Sequence, residues 1–168
     1  VGDEPLLLSK IGTTIISKNR CLGAKFIEKH KKNFDVIIMD DGLQNNQLNH
    51  DIKFMLIDKN LKFGNKFCLP AGPLRQPINV GMKDIDRIVL TGNNKINNTN
   101  FFKNYNVPIF ETKIKVINLP KIKNDMLLAF CGLAYPNKFY QTLNDNGYNI
   151  AFTKSFTDHY SYNYQDIN

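Results

Sequence analysis

Two adjacent carboxylates, Asp40 and Asp41, close the apolar run Val36-Ile37-Ile38-Met39 and lead into Gly42-Leu43-Gln44. Paired acids are costly to desolvate unless a cation or hydrogen bonds compensate them. At the end of an apolar strand they suit a metal, as the second acid of P-loop nucleotide enzymes does. Asp and Gly are also ordinary turn residues, so a plain Asp-Asp-Gly turn is the other reading. Arg75 lies within Leu69-Pro70-Ala71-Gly72-Pro73-Leu74-Arg75-Gln76-Pro77, where three prolines and a glycine in nine residues exclude a helix or a central strand. A planar guanidinium on so stiff a loop suits phosphate or carboxylate; a surface arginine on a turn is the alternative. Asp158-His159 follows a further apolar run, and Asp3-Glu4 stand between Gly2 and Pro5 near the start.

These groups need elements to hold them. Val36 to Met39 has the length and branching of a strand buried on both faces, as in a parallel sheet. Similar runs predict strands over Thr13 to Ile16, Asp51 to Asp58, Arg87 to Leu90, Met126 to Phe130 and Ile150 to Phe156. Alternation over Pro108 to Val116 predicts a half-exposed strand. A short helix is expected from Leu6, with Pro5 in its first turn. An amphipathic helix is expected over Cys21 to Lys32, with Leu22, Phe26 and Ile27 on one face and His30 at the surface. One helical turn is expected over Met82 to Asp86, a helix over Asn137 to Asn146 stopped by Gly147, and another starting within Tyr162 to Asp166. Leu119 to Asn124 reads as a linker between a first lobe, residues 1–118, and a second, 125–168. Alternating strands and helices mean an α/β fold of parallel βαβ units. Its ligand crevice lies beyond the carboxyl ends of the strands.

Composition narrows the function classes. The chain has 168 residues, 42% hydrophobic and 22% charged, enough for a globular core. No apolar run approaches the roughly 20 residues of a membrane-spanning helix. The three cysteines, Cys21, Cys68 and Cys131, lack metal-ligand spacing and suit a reducing compartment. A net charge of +7 favours an anionic partner, but it rests on lysine, with only Arg20, Arg75 and Arg87 as arginines. No nucleic-acid-binding module is present, so nucleic acid is not expected as a partner. The sequence begins at Val1 and ends at Ile167-Asn168 without a helix stop, so the fold is expected to be incomplete at both ends.

Four stretches combine in order and spacing: VGDEP, DDGLQ, GNKFCLPAGPLRQP, and AFCGLAYPNKFYQTL followed by FTDHYSY. Together they resemble the tetraacyldisaccharide 4′-kinase family over essentially the whole chain. The resemblance implies a P-loop-kinase-like parallel sheet with flanking helices, using ATP as co-substrate with Mg2+. It implies phosphorylation of the 4′-hydroxyl of a tetraacylated glucosamine disaccharide 1-phosphate, a lipid A precursor. The enzyme would work as a monomer, peripherally, at the cytoplasmic face of the bacterial inner membrane. By the same resemblance Asp3 is the base on the sugar hydroxyl, paired with His159, while Asp40 and Asp41 serve magnesium and the transferring phosphate. Gln44 lies near the metal, Arg75 near the phosphates, and Glu4 and Asn65 bind substrate. Gln76 stands where the family usually has glutamate and retains an oxygen ligand for the metal without the charge.

The family's phosphate-gripping GxxxxGK(S/T) loop does not occur in this sequence. In the family it precedes VGDEP, together with a membrane-associating segment. The chain is therefore expected to carry the second half of an active site and to be inactive alone. Two other readings stay open. One is a non-catalytic remnant that binds anionic lipid. The other is a metal-dependent phosphohydrolase with Asp40, Asp41 and His159 as ligands, which requires those groups to converge.

Overall fold

The computed structural model describes residues 2–30, 34–93, 102, 104–117 and 126–167. The chain divides into two compact units, Val1–Lys115 and Val116–Asn168. The expected linker at 119–124 lies outside the described residues.

The first unit contains α1 (Asp3–Leu8), α2 (Arg20–His30), β1 (Phe54–Asp58), α3 (Ile78–Gly81), β2 (Arg87–Thr91) and β3 (Ile109–Glu111). The three strands form a parallel sheet in the order β1-β2-β3. Ile88 and Leu90 alternate onto one face of the central strand and are fully buried there. They join Ile57, Met82, Ile85 and Phe102 in the core. Burying each such side chain contributes about 1.5–3 kcal/mol. Leu43, Phe63 and Ile78 pack onto this cluster. That matters for the site, because these three residues anchor the DDGLQ turn and the two ends of the proline-rich loop. Asp86 Oδ2 accepts a hydrogen bond from Lys53 N at 2.7 Å, joining the entries to β1 and β2.

The second unit is a βαβ hairpin of β4 (Leu127–Cys131), α4 (Pro136–Asp145) and β5 (Ile150–Ser155), followed by the short α5 (Tyr164–Ile167). β4 and β5 are parallel, with Ala129 opposite Thr153 and Cys131 opposite Ser155. Pro136 opens α4, where its fixed φ suits the first turn. Tyr140 on α4 donates to Lys154 O at 2.8 Å, tying the helix to β5. Burial pushes its phenol above the ordinary range.

The observed α/β fold with parallel sheets and flanking helices is the expected one. Several elements differ from expectation. Val36 to Met39 carries no strand, and Val36 and Ile38 are 71% and 90% exposed. Its apolar side chains have the pattern of an inner strand, but no described strand pairs with it. Asp40 and Asp41 therefore follow an unpaired segment, whereas Asp58 ends β1 and Asp158-His159 follow β5. Thr13 to Ile16 likewise forms no strand. The helical turn expected at Met82 to Asp86 occurs earlier, at Ile78–Gly81, because Pro77 with φ −58° stands as its N-cap and starts the helix there. β3 spans three residues of the nine expected, those that pair with β2.

Candidate active site

Leu43 docks the DDGLQ turn onto the first core, leaving Asp40, Asp41 and Gln44 at the surface. Asp41 takes a left-handed conformation, φ 48°, which Asp tolerates better than most residues because its short side chain can bond locally. Arg75 reaches this turn from the proline-rich loop. Its Nη1 donates to Gln44 Oε1 at 3.3 Å and lies 3.7 Å from Asp41 Oδ2. The two motifs singled out in the sequence thus converge on one guanidinium. An exposed pair of this kind contributes at most about 1 kcal/mol to stability. Arg75 can consequently exchange its partners for a phosphate at little cost to the fold.

A second arginine supports the turn. Arg20, the first residue of α2, donates from Nη2 to Asp40 O at 3.4 Å. Sequence reasoning gave Arg20 no role; the available signal was its rarity in a chain whose basic residues are nearly all lysine.

The proline-rich loop is held from within. Leu69 N donates to Leu74 O at 2.8 Å, Leu74 N to Phe67 O at 3.2 Å, and Gly72 N to Cys68 O at 3.1 Å. Asn65 closes it: Nδ2 donates to Ala71 O at 2.8 Å, and Oδ1 accepts from Phe67 N at 3.1 Å. Both ends of the Asn65 carboxamide are engaged with loop backbone. Gln76 lies against α3, so that a Cβ on Gly81 would stand 3.1 Å from its Nε2. Gln44, Arg75 and Gln76 line one cleft of about 100 Å³ with Leu43, Met55 and Ile78 at its apolar wall.

Asp3 and Glu4 occupy the first turn of α1, exposed, where acids complement the helix dipole. His159 belongs to the second unit, on a loop fastened to the end of β4. His159 N donates to Gly132 O at 3.2 Å, and Phe156 N to Cys131 O at 2.8 Å. His159 is itself left-handed, φ 54°, and its Nε2 lies 3.9 Å from Asp158 Oδ2. Around it Tyr160 stacks on Phe156 with centroids 4.7 Å apart, and Tyr162 packs edge-on against Phe130 and Phe156, each at 5.3 Å. Tyr160 donates to Asp166 Oδ1 at 3.1 Å, which holds its phenol above the ordinary range. The tyrosines of FTDHYSY therefore build the support for the histidine.

Within either unit, no group of three His, Cys, Asp or Glu side chains able to hold a metal occurs among the described residues. That donor set still fits Mg2+. This ion keeps several waters and is usually bound by one or two carboxylates together with substrate phosphates. Asp40 and Asp41 could supply such a pair, with Gln44 on the same arginine as Asp41; Gln76 lines the cleft that Gln44 and Arg75 share.

Parallel strand-helix units carrying a guanidinium and paired acids on loops define an α/β protein with a site suited to phosphate. Over residues 1–168 the chain matches the family model for LpxK, tetraacyldisaccharide-1-P 4'-kinase. It is 34% identical over 180 residues to the tetraacyldisaccharide 4'-kinase of Francisella tularensis subsp. novicida (strain U112), covering 99% of this chain and 56% of that protein. The enzyme of Francisella philomiragia is 36% identical over 181 residues, with 99% and 56% covered. Among solved structures, LpxK from Aquifex aeolicus in complex with ATP aligns with a TM-score of 0.65 at 25% identity, over 95% of this chain and 52% of that one. The chain belongs to the LpxK family of tetraacyldisaccharide-1-P 4'-kinases. It spans about half the length of the relatives it matches, 56% for both Francisella proteins.

Proposed function

We propose that the full-length protein transfers the γ-phosphate of ATP to the 4′-hydroxyl of a tetraacylated glucosamine disaccharide 1-phosphate in lipid A biosynthesis. The observation that carries this reading is the convergence of Arg75, Gln44 and Asp41, from two stretches 31 positions apart, on one cluster. Phosphoryl transfer is mostly positioning and charge stabilisation, so a guanidinium beside paired acids is the equipment it needs. Arg75 binds phosphate oxygens and stabilises the charge that spreads over them. Asp40 and Asp41, with Gln44 and Gln76, hold Mg2+, which neutralises phosphate charge when bound. By the family resemblance Asp3 accepts the proton of the 4′-hydroxyl, and His159 serves the same proton transfer. Glu4 assists in binding the sugar.

The family relationship supports this substrate class, as does the chain's net charge of +7, which draws it to an anionic lipid surface. We place the protein, as a peripheral monomer, at the cytoplasmic face of the inner membrane. Among the described residues no helix is long and apolar enough to cross a membrane. The metal-dependent phosphohydrolase has no observation in its favour.

The test is transfer of label from [γ-32P]ATP to the disaccharide lipid by the full-length protein and its Arg75→Ala variant. Labelled lipid from the wild type and a loss of a hundredfold or so with Arg75→Ala are expected, the range for removing one charge-stabilising donor. Transfer unaffected by the substitution would remove the ground for the assignment.

A further inference from the structure

We propose that Asn65 is a positioning residue for Arg75 and makes no essential contact with the lipid substrate. The inference rests on the kinase reading of the Arg75 cluster. An asparagine side chain offers two donor hydrogens and one carbonyl oxygen. Asn65 spends the first function on Ala71 O at 2.8 Å and the second on Phe67 N at 3.1 Å, bridging the two sides of the loop that ends at Arg75.

Gly72 shows how tightly the loop closes on that carboxamide. A Cβ there would overlap Asn65 Oδ1 and Phe67 O, so the sequence must have glycine at 72 if asparagine is to sit beneath it. The same closure sets the bridge between Cys68 and Leu74, and Leu74 immediately precedes Arg75. Arg75 then meets Gln44 at 3.3 Å, a long and exposed hydrogen bond that cannot itself hold the loop in place. Between the core anchors at Phe63 and Ile78, the loop's order comes from its own internal bonds. Asn65 ties both of its sides, so it helps to set where the guanidinium stands. The exposed carboxamide is thereby committed to the loop backbone through one N–H and its carbonyl oxygen.

The test uses full-length protein carrying Asn65→Ala, Asn65→Asp, Arg75→Ala and the Asn65→Ala/Arg75→Ala double substitution. For Asn65→Ala we expect kcat to fall about tenfold or more, as a small misplacement of a reacting partner causes, while KM for the lipid stays within twofold. Asn65→Asp keeps the acceptor for Phe67 N, loses the donor to Ala71 O, and should fall between. The double variant should be no slower than Arg75→Ala alone. Hydrogen exchange at the amides of Leu69, Gly72 and Leu74 should accelerate in Asn65→Ala, and this readout is independent of activity. A raised lipid KM with unchanged kcat, unaltered exchange, or additive losses would each overturn the proposal. Faster exchange in a wild-type background that transfers no phosphate would instead leave the positioning role standing and remove the kinase reading.

Discussion

Replacing Gly132 by alanine should disable the histidine loop without touching His159. Gly132 follows β4, and its carbonyl accepts the His159 amide at 3.2 Å. A Cβ at 132 would stand 3.0 Å from Thr157 O and 3.1 Å from both Tyr160 Cβ and Tyr162 Oη. Non-bonded carbons sit best at about 3.5–4.0 Å and carbon to oxygen somewhat closer, so the loop must give by a few tenths of an ångström. Turning the tyrosine rings relieves only part of this, since two of the contacts are to Tyr160 Cβ and the backbone oxygen of Thr157. Overpacking of this sort costs about 1–3 kcal/mol locally. A misplacement near 1 Å can cost about a hundredfold in rate, so a few tenths of that suggests severalfold to about tenfold. The assay is kcat and KM for the lipid in full-length protein, with Gly132→Ala made in the wild-type and in the His159→Ala backgrounds. A severalfold to about tenfold drop in kcat is expected in the first and little further loss in the second. Wild-type kcat, or equal losses in both backgrounds, would refute the reasoning.

The ion pair between the buried Lys59 and the exposed Glu111 should respond unequally to removal of its partners. The 2.9 Å pair joins a lysine 3% exposed to a glutamate 56% exposed. Glu111→Ala leaves a buried cation without this partner and should destabilise the first unit by about 1–3 kcal/mol, whereas Lys59→Met should cost less than about 1 kcal/mol; urea midpoints in which the order is reversed would contradict this. Asp41→Asn retains a residue that accepts the left-handed backbone, so it should keep native circular dichroism while abolishing phosphate transfer; near-normal turnover would remove Asp41 from the metal site. Tyr160 should ionise above the ordinary phenol value of about 10, since it donates to Asp166. The unfolded chain loses that proton first as pH rises, so the stabilisation is whole below about pH 10 and is lost through the folded value; Tyr160→Phe should remove this slope from stability measured between pH 9 and 11.

What the sequence revealed followed from how local each feature is. β1, β2, β4, α4 and β5 were legible because a short apolar run or a 3.6-residue pattern bounded by Pro or Gly carries its own signal. Val36 to Met39 has the same signal as β2, yet Leu90 is fully buried and Ile38 is 90% exposed. Apolar periodicity reports a face that wants covering and is silent on whether a neighbour strand supplies the cover. The onset of α3 was misplaced because Pro77 was read only as a breaker and not as a residue that can stand at a helix start. Arg75 was recognised as a candidate, but its meeting with Gln44 and Asp41 depends on Leu43, Phe63 and Ile78 sharing one core, a tertiary fact. The engagement of Asn65 with its own loop depends on backbone geometry that no local pattern encodes. Asp3 and His159 belong to different units, and their pairing is an expectation that rests on the sequence resemblance alone.

The central claim is that the Arg75, Asp41 and Gln44 cluster serves phosphate transfer to a sugar hydroxyl. The most direct measurement is phosphorus-proton correlation NMR of the lipid after incubation of the full-length protein with ATP, Mg2+ and the disaccharide 1-phosphate. The account predicts a new phosphomonoester coupled to the 4′ proton, formed in equal amount to ADP and absent with Asp41→Asn. Release of inorganic phosphate with an unmodified lipid would contradict it.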